Sequence, residues 1–100
     1  MAAEKQFENQ IKKHLTEHGI WYVKYFANGF TKSGIPDILA CCNGHFLAIE
    51  VKAENGKPSE LQLHHIEKIK QSGGHAVIVK PSQFEGLKQL IQELKNGKEI

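Results

Sequence analysis

Asp37, Glu50 and Lys52 are ionisable residues set into two apolar runs, 35–42 and 45–52, that are separated only by Asn43-Gly44. Both central positions of a two-residue hairpin turn need positive φ, and Asn-Gly meets that need at little steric cost, so the segment is predicted to be an antiparallel hairpin. With a two-residue turn Cys42 faces His45 and, counting back along both strands, Asp37 faces Glu50. Opposed residues carry β-carbons about 4.5–5.5 Å apart, so the two carboxylates can share one divalent cation and repel each other without it. The two-residue period puts Lys52 on the face of Glu50 and turns Leu47, Ile49 and Val51 to the other. An all-oxygen donor set selects a hard ion, Mg²⁺ with Mn²⁺ as a substitute, over Zn²⁺. A metal held there neutralises a phosphate oxygen and acidifies a water, while the lysine stabilises developing charge, so the chemistry this trio suits is phosphodiester hydrolysis.

Many hairpins carry Asp, Glu and Lys on a solvated face. Here two features oppose that reading. Gly34-Ile35-Pro36 restricts the backbone entering Asp37, and the carboxylates interrupt strands expected to be covered on both faces, where an unneeded charge is costly. Gln62 is a further candidate. Ser59-Glu60-Leu61-Gln62 is also a capping box, but helix period places Gln62 with Ile66 and Ile69 on the face that packs toward Lys52. Lys24, Lys32, Lys57 and Lys5 flank the site or its loops and are candidate DNA-phosphate contacts, each equally readable as a solvated lysine. Trp21, Tyr22, Tyr25 and Phe26 would stack on unpaired bases if exposed, with core packing as the other reading. His14 and His18 have a metal-capable spacing without a third ligand, and His64 and His65 point about 100° apart on a helix.

The elements that must position these residues follow from periodicity. Phe7, Ile11 and Leu15 predict a helix over 4–18, stopped by Gly19. Residues 20–26 suit a strand, Ala27 to Gly34 a loop, and 53–58 a polar loop after the hairpin. A second helix runs from Ser59 to about Gln71 and ends at Gly73-Gly74. A strand follows over 75–80, and Pro81-Ser82 opens a last helix bearing Phe84, Leu87, Leu90, Ile91 and Leu94. The tail after Lys95 is expected to fray. The order is αβββαβα, an α/β fold with a mixed sheet flanked by helices.

At 100 residues and 40% apolar content, the expectation is one domain spanning 1–100. A formal charge of +2 excludes a strongly basic nucleic-acid coat. Every cationic side chain other than histidine is lysine, which removes bidentate arginine reading of guanine and points to recognition of backbone or shape. Cys41 and Cys42 are adjacent and poorly placed to bridge, which suits a reducing setting. No apolar run approaches the ~18 residues of a membrane span, and a cytoplasmic location is expected.

Gly34-Ile35-Pro36-Asp37, Glu50-Val51-Lys52 and Gln62 together resemble the signature of the PD-(D/E)XK nuclease superfamily. The closest likeness is to stand-alone, phage-type members of the VRR-NUC family, through Ser33 to Leu39, Leu47 to Lys52 and Ser59 to Gln62. The similarity runs from residue 4 to about 81, and archaeal Holliday junction resolvases share the fold and motif order. The resemblance implies a restriction-endonuclease-like core, with Asp37, Glu50 and the Val51 carbonyl as metal ligands and Lys52 and Gln62 at the site. It also implies a glutamate on the first helix that meets the metal through water. The resolvase pattern selects Glu8, followed by Ile11, Leu15 and Gly19, with Glu4 as its competitor.

The expected function is thus a Mg²⁺-dependent endonuclease acting on branched, flap or junction DNA. So small a chain would gain DNA-gripping surface and a second site as a homodimer, and a helicase or another replication or recombination protein is an expected partner. The alternative is a nuclease fold that binds junctions or a helicase without cutting. An RNA nuclease fits less well, because such sites use histidine, tyrosine and lysine in place of paired carboxylates.

Overall fold

Asn43 (φ 51°) and Gly44 (φ 82°) both take the left-handed conformation that a tight hairpin demands. In the computed structural model, which describes residues 2–97, the strands on either side are β2 (Ile38–Cys42) and β3 (His45–Val51). Their register runs from Cys42 opposite His45 to Ile38 opposite Ile49, as the turn predicts. Asp37 therefore stands one step beyond the ladder, in line with Glu50. The turn also anchors the hairpin, because the Asn43 side-chain amide donates to the carbonyls of Leu94 (3.0 Å) and Lys95 (3.4 Å) at the end of the last helix.

The remaining elements are α1 (Ala2–Glu17), β1 (Trp21–Lys24), α2 (Glu60–Gln71), β4 (His75–Val79), a 3₁₀ turn (Pro81–Gln83) and α3 (Phe84–Lys95). The four strands lie in the order β1-β2-β3-β4. β1 and β3 run antiparallel to β2, and β4 runs parallel to β3. A parallel neighbour needs a crossover, and α2 is that crossover. The order and the mixed sheet agree with the expected αβββαβα pattern.

Strand alternation divides the side chains between two layers. Ile38, Ala40, Cys42, Leu47, Ile49 and Val51 face α1 and α3, where they close on Phe7, Ile11, Leu15, Leu87, Ile91 and Leu94. Leu39, Ala48, Ala76 and Ile78 face α2 and pack on Ile66 and Ile69. The sheet is thus a filling between two helices on one side and one on the other. The strand expected over 20–26 is shorter because pairing with β2 ends near Lys24, after which the Tyr25 amide makes one more bond to the Asp37 carbonyl (2.8 Å). Pro81 opens a 3₁₀ turn before the α-helix begins at Phe84. The expected fraying after Lys95 falls largely on residues 98–100, outside those described. No helix among the described residues is long and apolar enough to cross a membrane.

The approach to Asp37 is held by close packing. Gly34 has φ 79°, and a β-carbon there would lie 2.6 Å from Leu61 Cγ and 3.1 Å from the Leu61 carbonyl carbon on the first turn of α2. Pro36 is fully buried. Gly34→Ala should therefore destabilise the protein by about 2–4 kcal/mol, from left-handed strain plus overpacking. Gly29→Ala, at a position with open space around it, is the matched control. Urea unfolding that found the two variants equally stable would refute this account of the Gly34 contact.

Candidate active site

The hairpin register brings Asp37 and Glu50 together, and their surroundings then treat the two carboxylates differently. Asp37, half-buried at the mouth of the hairpin, accepts a hydrogen bond on Oδ2 from the Val51 amide (2.8 Å) and faces the Lys24 ammonium on Oδ1 (3.3 Å). Glu50 is only 2% exposed. Its Oε2 accepts from Gln62 Nε2 (3.1 Å) and lies 3.4 Å from Lys52 Nζ, whereas Oε1 is buried with no hydrogen-bond partner among the described residues. Burial, then the charge of Asp37, pushes the Glu50 carboxyl up to about 7, against the opposing pull of Lys52. A buried carboxylate oxygen without a donor is expensive unless something cationic belongs beside it.

Gln62 satisfies both readings of its sequence context at once. Its amide N–H donates to Ser59 Oγ (3.1 Å) and its Oε1 accepts from the Ser59 amide (2.8 Å), which completes the capping box. Because Oε1 is committed to a backbone donor, the Nε2 end is the one turned to Glu50. The helix cap thereby orients the only amide that reaches the buried carboxylate among the described residues. Lys52 is fixed similarly through its backbone, whose amide donates to the Val79 carbonyl (3.0 Å) in the parallel ladder. The Val51 side chain is in the core, and its amide points at Asp37. In a strand the N–H and C=O of one residue point to the same side, so the Val51 carbonyl faces the Asp37 side as well.

Glu8 and Lys24 enter from the opposite layer. Glu8 is 5% exposed on the inward stripe of α1 and is met by Lys12 (2.8 Å), Lys24 (2.9 Å) and Lys5 (3.5 Å). Burial alone would raise its carboxyl, but the ion pairs with Lys12 and Lys24 outweigh burial and hold it at about 2. Lys24, a candidate phosphate contact by its place beside the site, is turned inward. Its ammonium lies between Glu8 and Asp37, and although burial disfavours its charge, these partners raise its pKa. The physical reason is the short β1, which ends with Lys24 opposite Ile38 and beside Asp37.

Lys57 is exposed. It lines, with Glu4, Lys52 and Glu54, a cleft of about 430 Å³. Lys32 is exposed, and its carbonyl accepts from the Tyr25 hydroxyl (2.6 Å). Glu4 is therefore near Lys52, while Glu8 shares a lysine with Asp37. Sequence reasoning missed Lys12, although its i,i+4 spacing from Glu8 was a usable signal. It also missed Glu54, which accepts from the amide (3.0 Å) and hydroxyl (2.7 Å) of Ser82 and ties down the loop after Lys52. The His14 and His18 rings lie 4.2 Å apart. No group of three or more His, Cys, Asp or Glu side chains able to hold one ion occurs among the described residues.

The donors nevertheless suit a hard divalent cation. Two adjacent carboxylates, one with an unpartnered buried oxygen, stand beside a main-chain carbonyl edge, without a nearby thiolate or imidazole among the residues that build the site. A restriction-endonuclease-like sheet with this hairpin and its flanking lysine defines a protein of the PD-(D/E)XK nuclease superfamily. Residues 2–95 match the model of the archaeal Holliday junction resolvase (hjc) family, and the chain belongs to that family. No curated protein matches the chain.

Two expectations follow from the carboxyl environments. Glu50 has a raised folded-state pKa, so its contribution to stability is full below about 4.5 and is lost as pH rises to about 7. Glu50→Gln should raise the Tm of the EDTA-treated protein at pH 8 by about 5 °C and hardly change it at pH 4; a lower Tm at pH 8 would contradict the burial argument. Glu8 has the opposite sign, with stability present above 4.5 and lost as pH falls toward 2. Lys24→Met should move the Glu8 carboxyl upward in an NMR titration, and an unmoved titration would show that Lys24 is not its partner in solution.

Proposed function

We propose that this protein is a divalent-metal-dependent endodeoxyribonuclease that hydrolyses phosphodiester bonds in branched DNA such as junctions and flaps. The observation that carries the reading is the buried Glu50 carboxylate, with one oxygen unpartnered among the described residues, held beside Asp37. Asp37, Glu50 and the Val51 carbonyl would hold Mg²⁺, or Mn²⁺ in its place, with Glu8 contributing through water. The ion would supply charge neutralisation at the scissile phosphate and a more acidic water.

This chain's own residues do the rest. Lys52 Nζ, 3.4 Å from Glu50, stabilises charge as it develops on the phosphate and orients the attacking water. Gln62 holds the Glu50 side chain in place through a hydrogen bond that its own helix cap aims. The Val51 amide fixes the Asp37 carboxylate in the same way. Lys24 pairs with both Glu8 and Asp37, and with Lys12 it keeps the Glu8 carboxylate ionised. Lys32 and Lys57 are exposed for phosphate contact, each worth a step in salt dependence.

A homodimer belongs to the same reading. On the α2 side of the sheet, Trp21, Cys41 and Phe46 stand opposite one another across three strands, and all three are exposed. A second copy placed there would cover this apolar row and supply a second site for a branched substrate. The motif spacing also supports kinship with stand-alone VRR-NUC nucleases of the phage type. We place the chain as a single-domain enzyme in the cytoplasm, working with a helicase or other replication or recombination protein.

Labelled duplex, single-stranded, flap and four-way-junction DNA, incubated with Mg²⁺, Mn²⁺ or EDTA, test the proposal directly. Metal-dependent cutting should favour branched substrates and fall at least about 100-fold in Asp37→Asn and in Lys52→Ala. Tight junction binding with no cutting under either metal would instead identify a non-cleaving junction-binding module.

A further inference from the structure

The segment joining β1 to β2 is built as an arch on the candidate site. At its foot the Tyr25 amide donates to the Asp37 carbonyl (2.8 Å), and Lys24 Nζ meets Asp37 Oδ1 (3.3 Å). One step outward the Tyr25 hydroxyl donates to the Lys32 carbonyl (2.6 Å). At the tip, Asn28 Oδ1 accepts from the Phe30 amide (2.7 Å), Thr31 Oγ1 accepts from the Asn28 amide (2.8 Å), and the Thr31 amide donates to the Asn28 carbonyl (3.3 Å). These bonds present two aromatic rings to solvent. Phe30 is fully exposed (101%) and Phe26 is 71% exposed.

An isolated surface phenylalanine ordinarily needs no explanation. This one differs in three respects. It sits on a turn whose hydrogen bonds fix its backbone rather than on a slack loop. Its arch stands on Asp37, and Phe30 can be at most about 7 Å by chain from the Lys32 α-carbon. Residues 25–36 contain no carboxylate, and the exposed Lys32 lies within the segment two residues from Phe30. Aromatic faces interleaved with lysines are the chemistry of a surface that stacks a base and holds its phosphates.

We propose that Phe30 stacks on an unpaired or partly unstacked nucleobase at a DNA branch point, and so sets which phosphate reaches Asp37 and Glu50. This rests on the DNA-cleaving reading above. Paired bases inside a duplex hide their faces, whereas a branch exposes them, so a tip phenyl discriminates structure without reading sequence. That route to selectivity suits a chain without arginine.

The experiment compares wild type, Phe30→Ala, Phe30→Leu and Phe30→Trp in EDTA, on a four-way junction with 2-aminopurine at the branch and on a duplex of equal length. Phe30→Ala and Phe30→Leu should bind the junction about ten-fold more weakly, bind the duplex within two-fold of wild type, and lose the 2-aminopurine fluorescence change. Phe30→Trp should retain both junction affinity and signal. Unfolding transitions should coincide for all four proteins, because the side chain makes no packing contribution. Equal junction affinity and an equal fluorescence change in Phe30→Ala would overturn the inference, as would a shift in its monomer–dimer equilibrium by sedimentation, which would make a second copy the occupant. Wild type that cuts junctions with metal while ignoring Phe30 substitutions would sink this inference alone. Wild type that neither binds nor cuts branched DNA would sink the function proposal with it.

Discussion

Two carboxylates held face to face across a hairpin repel one another, and the structure forces them together with Glu50 almost shut off from water. Asp37 and Glu50 are in register because Asn43 and Gly44 allow only a two-residue turn. Glu50 is then carried under α2, where burial and its neighbour raise its pKa to about 7. The arrangement costs stability, and its surroundings offset that cost without removing it. Lys52 and Gln62 serve one oxygen of Glu50, the Val51 amide serves Asp37, and the other Glu50 oxygen finds no partner among the described residues. Carboxyls perturbed in this way cluster at functional sites.

Most of the fold can be understood as support for that pair. The helices on the two sides of the sheet exclude water from the strands, Gly34 lets the entry to Asp37 lie against Leu61, and Asn43 ties the hairpin turn to the end of α3. Several groups have two duties. Gln62 caps a helix and holds Glu50, while Lys24 ends a strand and neutralises both Glu8 and Asp37. In a chain of 100 residues, such sharing ties folding to the integrity of the site. A substitution at Gln62 or Lys24 perturbs both, so its effect on activity has to be separated from its effect on stability.

Two features of the surface bear on the partner. The uncovered row of Trp21, Cys41 and Phe46 lies on the sheet, and the aromatic arch lies on the loop beside the site. Trp21 (66% exposed) and Phe26 are therefore free to contact something else, whereas Tyr22 packs against the core and Tyr25 is spent on closing the arch. The four aromatics grouped together by sequence have separate roles because strand alternation and the end of β1 send them in different directions.

The order of elements, the hairpin and its register, the facing of Asp37 and Glu50, and the side chosen by Lys52 were all legible in the sequence. They depend on local rules: turn chemistry at Asn43-Gly44, the two-residue period of a strand, and the spacing of Phe7, Ile11 and Leu15 on a helix. What only the tertiary structure decided is which distant groups meet. Lys24 could be placed near the site by proximity along the chain, but its position between Glu8 and Asp37 depends on how α1 crosses the sheet and where β1 stops pairing. Glu8 and Glu4 both lay near the apolar stripe, and the helix rotation fixed by core packing buried one and left the other at the cleft. The outward turn of Phe30 likewise depends on hydrogen bonds from Asn28 and Thr31 and on closure by Tyr25 and Lys32. Periodicity describes one element at a time, whereas these charges and rings are positioned by the packing of several elements at once.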